Sequence, residues 1–149
     1  MMAVMEGFPM SDKIKGSTVI PALRYREAHK AIDWLVAAFG FEKNAVYDGP
    51  EGTVAHAQLT LGTGMIMLGS ASNTGGWSAE MVHPDEIGGK ATGGIYLVVA
   101  DAAAVYERAK AAGAVIDGEL KEMSYGGKAF GCKDLEGYFW SIGEYDPWA

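Results

Sequence analysis

Residues 27–43 read EAHKAIDWLVAAFGFEK, and residues 101–117 read DAAAVYERAKAAGAVID. In both segments, apolar residues recur at three- and four-residue spacing, which is typical of a helix with one buried face. A glycine ends each pattern, Gly40 in the first and Gly113 in the second, as expected for a left-handed helix C-terminus. An apolar residue also stands eight positions before each glycine, so the two predicted helices agree in register.

Strand-like runs flank both predicted helices in the same order. One run precedes each helix and three follow it: 18–23, 41–47, 53–61 and 65–69 in the first half, and 94–99, 115–120, 129–133 and 138–145 in the second. The sequence therefore predicts an α+β fold of two tandem βαβββ units, with a curved eight-stranded mixed sheet around a cavity and the helices outside. An ordinary α+β domain with two coincidentally similar helices is the alternative.

The length of 149 residues favours a single domain. We expect a flexible N-terminal tail over residues 1–16 and one domain over 17–149. Within that domain, the first unit is predicted at 17–69, a connector at 70–91 and the second unit at 92–149.

The formal net charge is −7 and no basic stripe offsets it, which argues against nucleic acid as a partner. Cys132 is the single cysteine, so no intrachain disulfide forms, and its expected role is a small apolar filler on a strand. No apolar run approaches the roughly 20 residues of a membrane-spanning helix. We expect a cytoplasmic protein with no membrane partner.

Three stretches carry a family resemblance: VIPALRYREAHKAIDWLVAAFGFEK at 19–43, VAHAQLTLGTGMIMLGSA at 54–71, and YGGKAFGCKDLEGYFWSIGEYDPW at 125–148. They resemble the first strand and helix, the third and fourth strands, and the closing hairpin of the vicinal-oxygen-chelate superfamily, which includes glyoxalases, bleomycin-resistance proteins and extradiol dioxygenases. In the closing turn, Leu135 replaces the usual proline. The resemblance covers nearly the whole chain and implies a homodimer.

The resemblance also implies a divalent metal in the cavity, held by His, Glu or Gln side chains on four strands. Those positions fall here on Ile20, Met67, Gly94 and Ser141. Isoleucine and glycine offer no lone pair, and a thioether with a hydroxyl makes a poor ligand set for Zn, Ni, Mn or Fe(II). We therefore predict that this chain has no metal of that kind and no cofactor.

The three histidines differ in their surroundings. His29 lies in the first predicted helix beside Lys30, and His83 precedes a proline in a predicted loop, so both are expected at the surface. His56 lies mid-strand, and strand periodicity places it on one face with Gln58. A structural pair and a ligand-binding pair are equally compatible with that spacing.

Aromatic residues suggest the lining of a cavity. Phe139 and Ser141 share a face of the last predicted strand. Tyr96 lies on the first predicted strand of the same unit. Trp77, in the long connector, is expected either to cover the cavity mouth or to pack on a partner subunit, and Tyr125 raises the same question. Among the other tryptophans, Trp34 and Trp140 are predicted in the core and Trp148 is expected to hold the C-terminus.

The leading hypothesis is a metal-free, homodimeric small-molecule-binding protein that sequesters a drug or metabolite in the sheet cavity. The candidate ligand-binding residues are His56, Gln58, Trp77, Tyr96, Tyr125, Phe139 and Ser141. A divergent lyase, isomerase or dioxygenase with displaced metal ligands around His56 is the alternative. A regulatory or interaction module that has lost its ligand is a third possibility.

Overall fold

The computed structural model describes residues 15–149, apart from the side chain of Trp77. The predicted N-terminal tail lies outside the described residues up to position 14. The first unit consists of β1 (Ala22–Tyr25), α1 (Ala28–Phe39), β2 (Glu42–Asp48), β3 (Val54–Leu61) and β4 (Gly64–Ser70). The second consists of β5 (Ile95–Val98), α2 (Ala102–Ala111), β6 (Val115–Glu122), β7 (Lys128–Lys133) and β8 (Phe139–Gly143).

The two units have the same strand topology. The first sheet has the order β1-β4-β3-β2 and the second β5-β8-β7-β6. In each, the first strand of the unit pairs parallel with the last, and the other pairs are antiparallel. This confirms the predicted α+β fold of tandem βαβββ units, with the eight strands divided between two four-stranded sheets.

Local sequence explains where both helices begin and end. Gly40 follows α1 in the left-handed region at φ 83° and donates its N–H to the Val36 carbonyl. Gly113, at φ 96°, performs the same reversal after α2. The Asp101 carboxylate accepts the Ala104 N–H at 3.1 Å and caps α2. No described helix is long and apolar enough to cross a membrane.

Trp140 on β8 occupies the centre of the core, as predicted. Its side chain is 0% exposed, and its ring centroid lies 5.1 Å from that of Phe39 and 6.0 Å from that of Phe41. Its indole Nε1 donates to the buried Asp134 carboxylate at 3.0 Å. Because both phenylalanines belong to the first unit, Trp140 joins the apolar cores of the two units.

The other tryptophans differ from one another. Trp34 packs half-buried against the core, and its Nε1 donates to the Ala112 carbonyl at 2.7 Å, so it links the two helices. Trp148 is 94% exposed. The prediction that it holds the C-terminus is therefore wrong, because the ring lies almost entirely in solvent.

Cys132 is fully buried on β7, as the sequence predicts for an apolar filler. Burial, together with the neighbouring Asp134 and Asp117, raises the pKa of its thiol to about 12. We expect the folded protein to react negligibly with Ellman's reagent up to pH 9, and unfolding in urea to release one reactive thiol per chain. Rapid reaction of the native protein would contradict this burial.

Candidate functional site

Strand β3 divides its side chains between two faces of the first sheet. Ala57 and Leu59 are fully buried in the core, whereas His56 and Gln58 lie half-buried on the opposite face. The His56 ring stacks on Tyr47 of β2, with centroids 6.1 Å apart and planes at 20°. We call this face the first open face; its other members include Ala22, Arg24, Ala45 and Met67.

Strand β8 makes the same division in the second sheet. Trp140 and Ile142 are 0% exposed, whereas Phe139 and Ser141 lie on the face opposite the core. Tyr96 is the pairing partner of Ser141 across β5 and β8, so it lies on this face too. We call this the second open face; its glycines are Gly94, Gly131 and Gly143.

Glycines on neighbouring chain segments make room for the Phe139 ring. A Cβ on Gly94 would lie 3.0 Å from Phe139 Cδ1, and one on Gly131 would lie 3.5 Å from Cε2. The Phe139 ring therefore lies close to the backbone of both segments, and any side chain at Gly94 would crowd it. The result is an aromatic platform on the second open face.

Tyr96 and Tyr125, two of the predicted ligand-binding residues, both lie near Tyr145, at the end of this face away from Gly94. The Tyr96 hydroxyl donates to the Tyr145 carbonyl at 2.7 Å, and burial raises the pKa of Tyr96. Tyr125 is 56% exposed and contacts the Tyr145 ring edge-on at 5.2 Å. Tyr125 also lines a groove of about 240 Å³ together with Phe139 and Ser141.

A larger cavity, of about 410 Å³, lies beneath the connector between the two sheets. We call it the connector cavity. Its walls are mostly apolar, with exposed Glu80 and Lys90 as charged members. Its other lining residues include Pro21, Ala22 and Leu23 from the β1 region, Met81, Val82, Pro84 and Ile87 from the connector, and Gly94, Ile95, Tyr138 and Phe139 from the second unit.

Arg24 attaches the connector to β1. Its guanidinium donates to the carbonyls of Ser78 and Met81 at 2.8 and 2.7 Å, and to that of Ala71. The backbone around Trp77 forms a 3₁₀ turn, Gly76–Glu80, but the Trp77 side chain lies outside the described residues. Its predicted roles therefore stay predictions.

His83 makes the second attachment, and the prediction of a surface position for it is wrong. It is 3% exposed, and its Nδ1 accepts the Asp85 N–H at 3.2 Å. Nε2 therefore carries the proton and donates to Glu136 at 2.8 Å. Glu136 in turn accepts the backbone N–H groups of Arg26 and Glu27, ahead of α1. His29, in contrast, is exposed as predicted.

A surface ion pair continues this attachment. Arg26 donates through Nε and Nη2 to the Asp85 carboxylate at 2.8 and 2.7 Å. The guanidinium lowers the pKa of Asp85 to about 2. These contacts join the connector to the start of α1 and to the turn before β8. They fix the position of the connector over the connector cavity.

A second, smaller cavity of about 70 Å³ lies beside Arg24 on the first open face, and we call it the arginine cavity. His56 and Met67 line it. Ala22, Leu23 and Met81 line both this cavity and the connector cavity, so the two meet at β1.

A sequence model of the Glyoxalase/Bleomycin resistance protein/Dioxygenase superfamily matches residues 18–142. The chain belongs to this superfamily. An uncharacterized protein of Mycobacterium bovis is 32% identical over 126 residues, which cover 83% of this chain and 80% of the relative. An uncharacterized protein of Mycobacterium tuberculosis matches with the same identity, and 72% of its length is covered.

Solved structures of other proteins have the same fold. TioX from Micromonospora sp. ML1 superposes with a TM-score of 0.66 and 28% identity, covering 88% of this chain and 100% of TioX. Glyoxalase I from Zea mays superposes with a TM-score of 0.63, covering 85% of this chain and 43% of that one. At 17% identity, the second likeness concerns the fold alone.

The superfamily's metal-ligand positions do not fit a divalent ion here. Met67, Gly94 and Ser141 belong to the open faces, and Ile20 precedes β1, but together they offer one thioether and one hydroxyl. Within residues 15–149, no three His, Cys, Asp or Glu side chains are grouped to hold a metal. The arginine cavity beside His56 is lined by no described carboxylate or thiol.

Of the predicted ligand-binding residues, the structure brings Tyr125, Phe139 and Ser141 together. His56 and Gln58 share the first open face, and Tyr96 lies beside Ser141 on the second but does not line that groove. Sequence reasoning missed the apolar lining of the connector cavity and the role of Arg24. The length of the connector was the one signal that it could cover a cavity. An arginine in a short strand gave no signal that it would bind the connector.

Proposed function

We propose that this chain is a metal-free small-molecule-binding protein that sequesters a drug or metabolite. The observation that carries the proposal is the connector cavity, whose volume of about 410 Å³ and apolar walls suit a small-molecule site. The Phe139 ring lines this cavity and offers an aromatic surface against which a planar ligand can pack. The unsuitable donor set at the superfamily's metal positions supports binding without a metal.

We further propose a homodimer acting in the cytoplasm, with a small molecule as partner and no role for nucleic acid. The family resemblance supports the dimer, and the net charge of −7 opposes attraction to phosphate backbones. Sedimentation velocity at micromolar concentration tests the dimer, for which we expect a species of twice the chain mass.

The binding proposal is tested with N-phenyl-1-naphthylamine, an uncharged aromatic probe that fluoresces in apolar sites. We expect saturable binding of one probe per chain, with the same Kd before and after EDTA treatment. Metal content by plasma mass spectrometry, after incubation with Zn, Ni, Mn and Fe(II) and removal of the excess, should be near zero per chain.

Two results would contradict the proposal. Non-saturable fluorescence would show that the cavity does not hold a small apolar molecule. Stoichiometric metal with metal-dependent turnover would favour the divergent enzyme, and His56 would then be the first residue to replace.

A further inference from the structure

Arg24 is half-buried beneath the connector, and its guanidinium has no carboxylate partner. Within residues 15–149, no acidic side chain lies within 4.0 Å of it. Its Nε is buried and has no hydrogen-bond partner in that range. A half-buried cation with no anionic partner and a buried unsatisfied donor is costly, so the site gains when an anion binds.

The number of free donors indicates what kind of anion fits. A guanidinium has five N–H donors. Three of them serve the carbonyls of Ala71, Ser78 and Met81, which leaves the Nε–H and one Nη–H. Because Nε has almost no accessible surface, the remaining Nη–H is the donor left for a ligand. A single charged donor can bond one carboxylate oxygen, whereas a phosphate dianion needs more partners. The arginine cavity, at about 70 Å³, has room for a group of that size.

The surroundings indicate what is attached to the carboxylate. His56 lines the same cavity and supplies a further ring nitrogen. Through Ala22, Leu23 and Met81 the arginine cavity adjoins the apolar connector cavity. A ligand spanning both would place its charged end at Arg24 and its apolar body under the connector.

We propose that the ligand is an apolar carboxylic acid whose carboxylate binds Arg24 and His56 and whose apolar body fills the connector cavity. This inference rests on the proposed binding function and names its ligand class. It makes Arg24 both an attachment of the connector and the charge-selecting residue of the site.

The test compares 2-naphthoate with 2-naphthamide as displacers of N-phenyl-1-naphthylamine. The two compounds share one aromatic body and differ in charge, so the ratio of their Kd values measures charge selection. We expect the carboxylate to bind at least about 10-fold tighter than the amide, as for a charge-assisted hydrogen bond of about 1.4 kcal/mol or more. Because both probes fill the same cavity, loosening of the connector cancels from the ratio.

Two variants and two control variants identify the residue responsible for the charge selection. Arg24→Gln should bring the ratio to about 1, and Met67→Glu, which adds a carboxylate to the arginine cavity, should reduce it below 1. Met67→Gln is the neutral match for the second variant and should keep the ratio above 1. Lys30→Gln, on exposed helix surface, removes one charge elsewhere and should leave the wild-type ratio.

The outcomes separate this inference from the proposed function. Equal affinity for both compounds in the wild type overturns the carboxylate and leaves the apolar binding site standing. A wild-type ratio that persists in Arg24→Gln assigns the selection to another cation and overturns the role of Arg24. Failure of both compounds and of the fluorescent probe to bind overturns the inference and the proposed function together.

Discussion

Replacing Trp140 with alanine is expected to lower the free energy of unfolding by about 4 kcal/mol. The indole is 0% exposed and contacts Phe39 and Phe41, so its removal leaves a cavity at the junction of the two units. Removal also costs Asp134 one of its hydrogen-bond donors, since the Nε1–H reaches that carboxylate at 3.0 Å.

Urea denaturation followed by far-UV circular dichroism measures this loss. Trp148→Ala is the matched control, because the same atoms are removed from a ring that is 94% exposed, and we expect a change below about 0.5 kcal/mol. Similar losses in both variants would mean that Trp140 does not join the two cores. A biphasic transition in Trp140→Ala would indicate that the units unfold separately once the indole is gone.

The fold was predictable because each unit is specified by local signals that its partner repeats. The helix ends at Gly40 and Gly113 depend on the conformation of a single residue, and the Asp101 cap depends on a neighbour three residues away. Strand periodicity separated buried Trp140 from Ser141 on the same strand. Signals of this kind survive in one sequence without knowledge of the tertiary structure.

The division into two sheets has a different origin. Each sheet is complete at four strands, since β1 and β5 pair with the last strand of their own unit. Periodicity specifies which side chains share a face, but not whether the edges of two sheets meet. The eight strands and their faces were therefore predictable, whereas the predicted single sheet is divided into two sheets of four strands.

His83 shows why side-chain burial in the connector could not be predicted. A histidine before a proline in a polar segment normally lies in solvent. Its burial depends on Glu136, which comes from the turn before β8 and also accepts two N–H groups ahead of α1. A contact among three separated segments leaves no periodic trace.

The candidate site was predictable in its faces and not in its cavities. Alternation correctly put His56 with Gln58, and Phe139 with Ser141. The connector cavity, however, is formed by the connector folding over β1 and β5, and Arg24 takes part by donating to backbone carbonyls. Backbone carbonyls are the same for every residue type, so no sequence pattern marks them as partners.

Filling the junction of the two cavities is expected to abolish binding with little effect on the fold. Ala22 lines both the connector cavity and the arginine cavity from the first open face. The indole in Ala22→Trp would occupy the space through which the cavities communicate, and we expect at least about 100-fold weaker binding of N-phenyl-1-naphthylamine, or about 2.7 kcal/mol. Fluorescence titration measures this change.

Ala45→Trp is the matched control, because Ala45 lies in the same cross-strand row as Ala22, through Gln58 and Met67, but lines neither cavity. Both variants place an indole on the first open face, so any general effect of the added surface is shared. Loss of binding in Ala22→Trp alone supports a ligand held beneath the connector. If both variants keep wild-type binding of the probe, the binding site would instead be the groove beside Tyr125 and Ser141. Phe139 borders both the groove and the connector cavity, so it would then be the residue to replace.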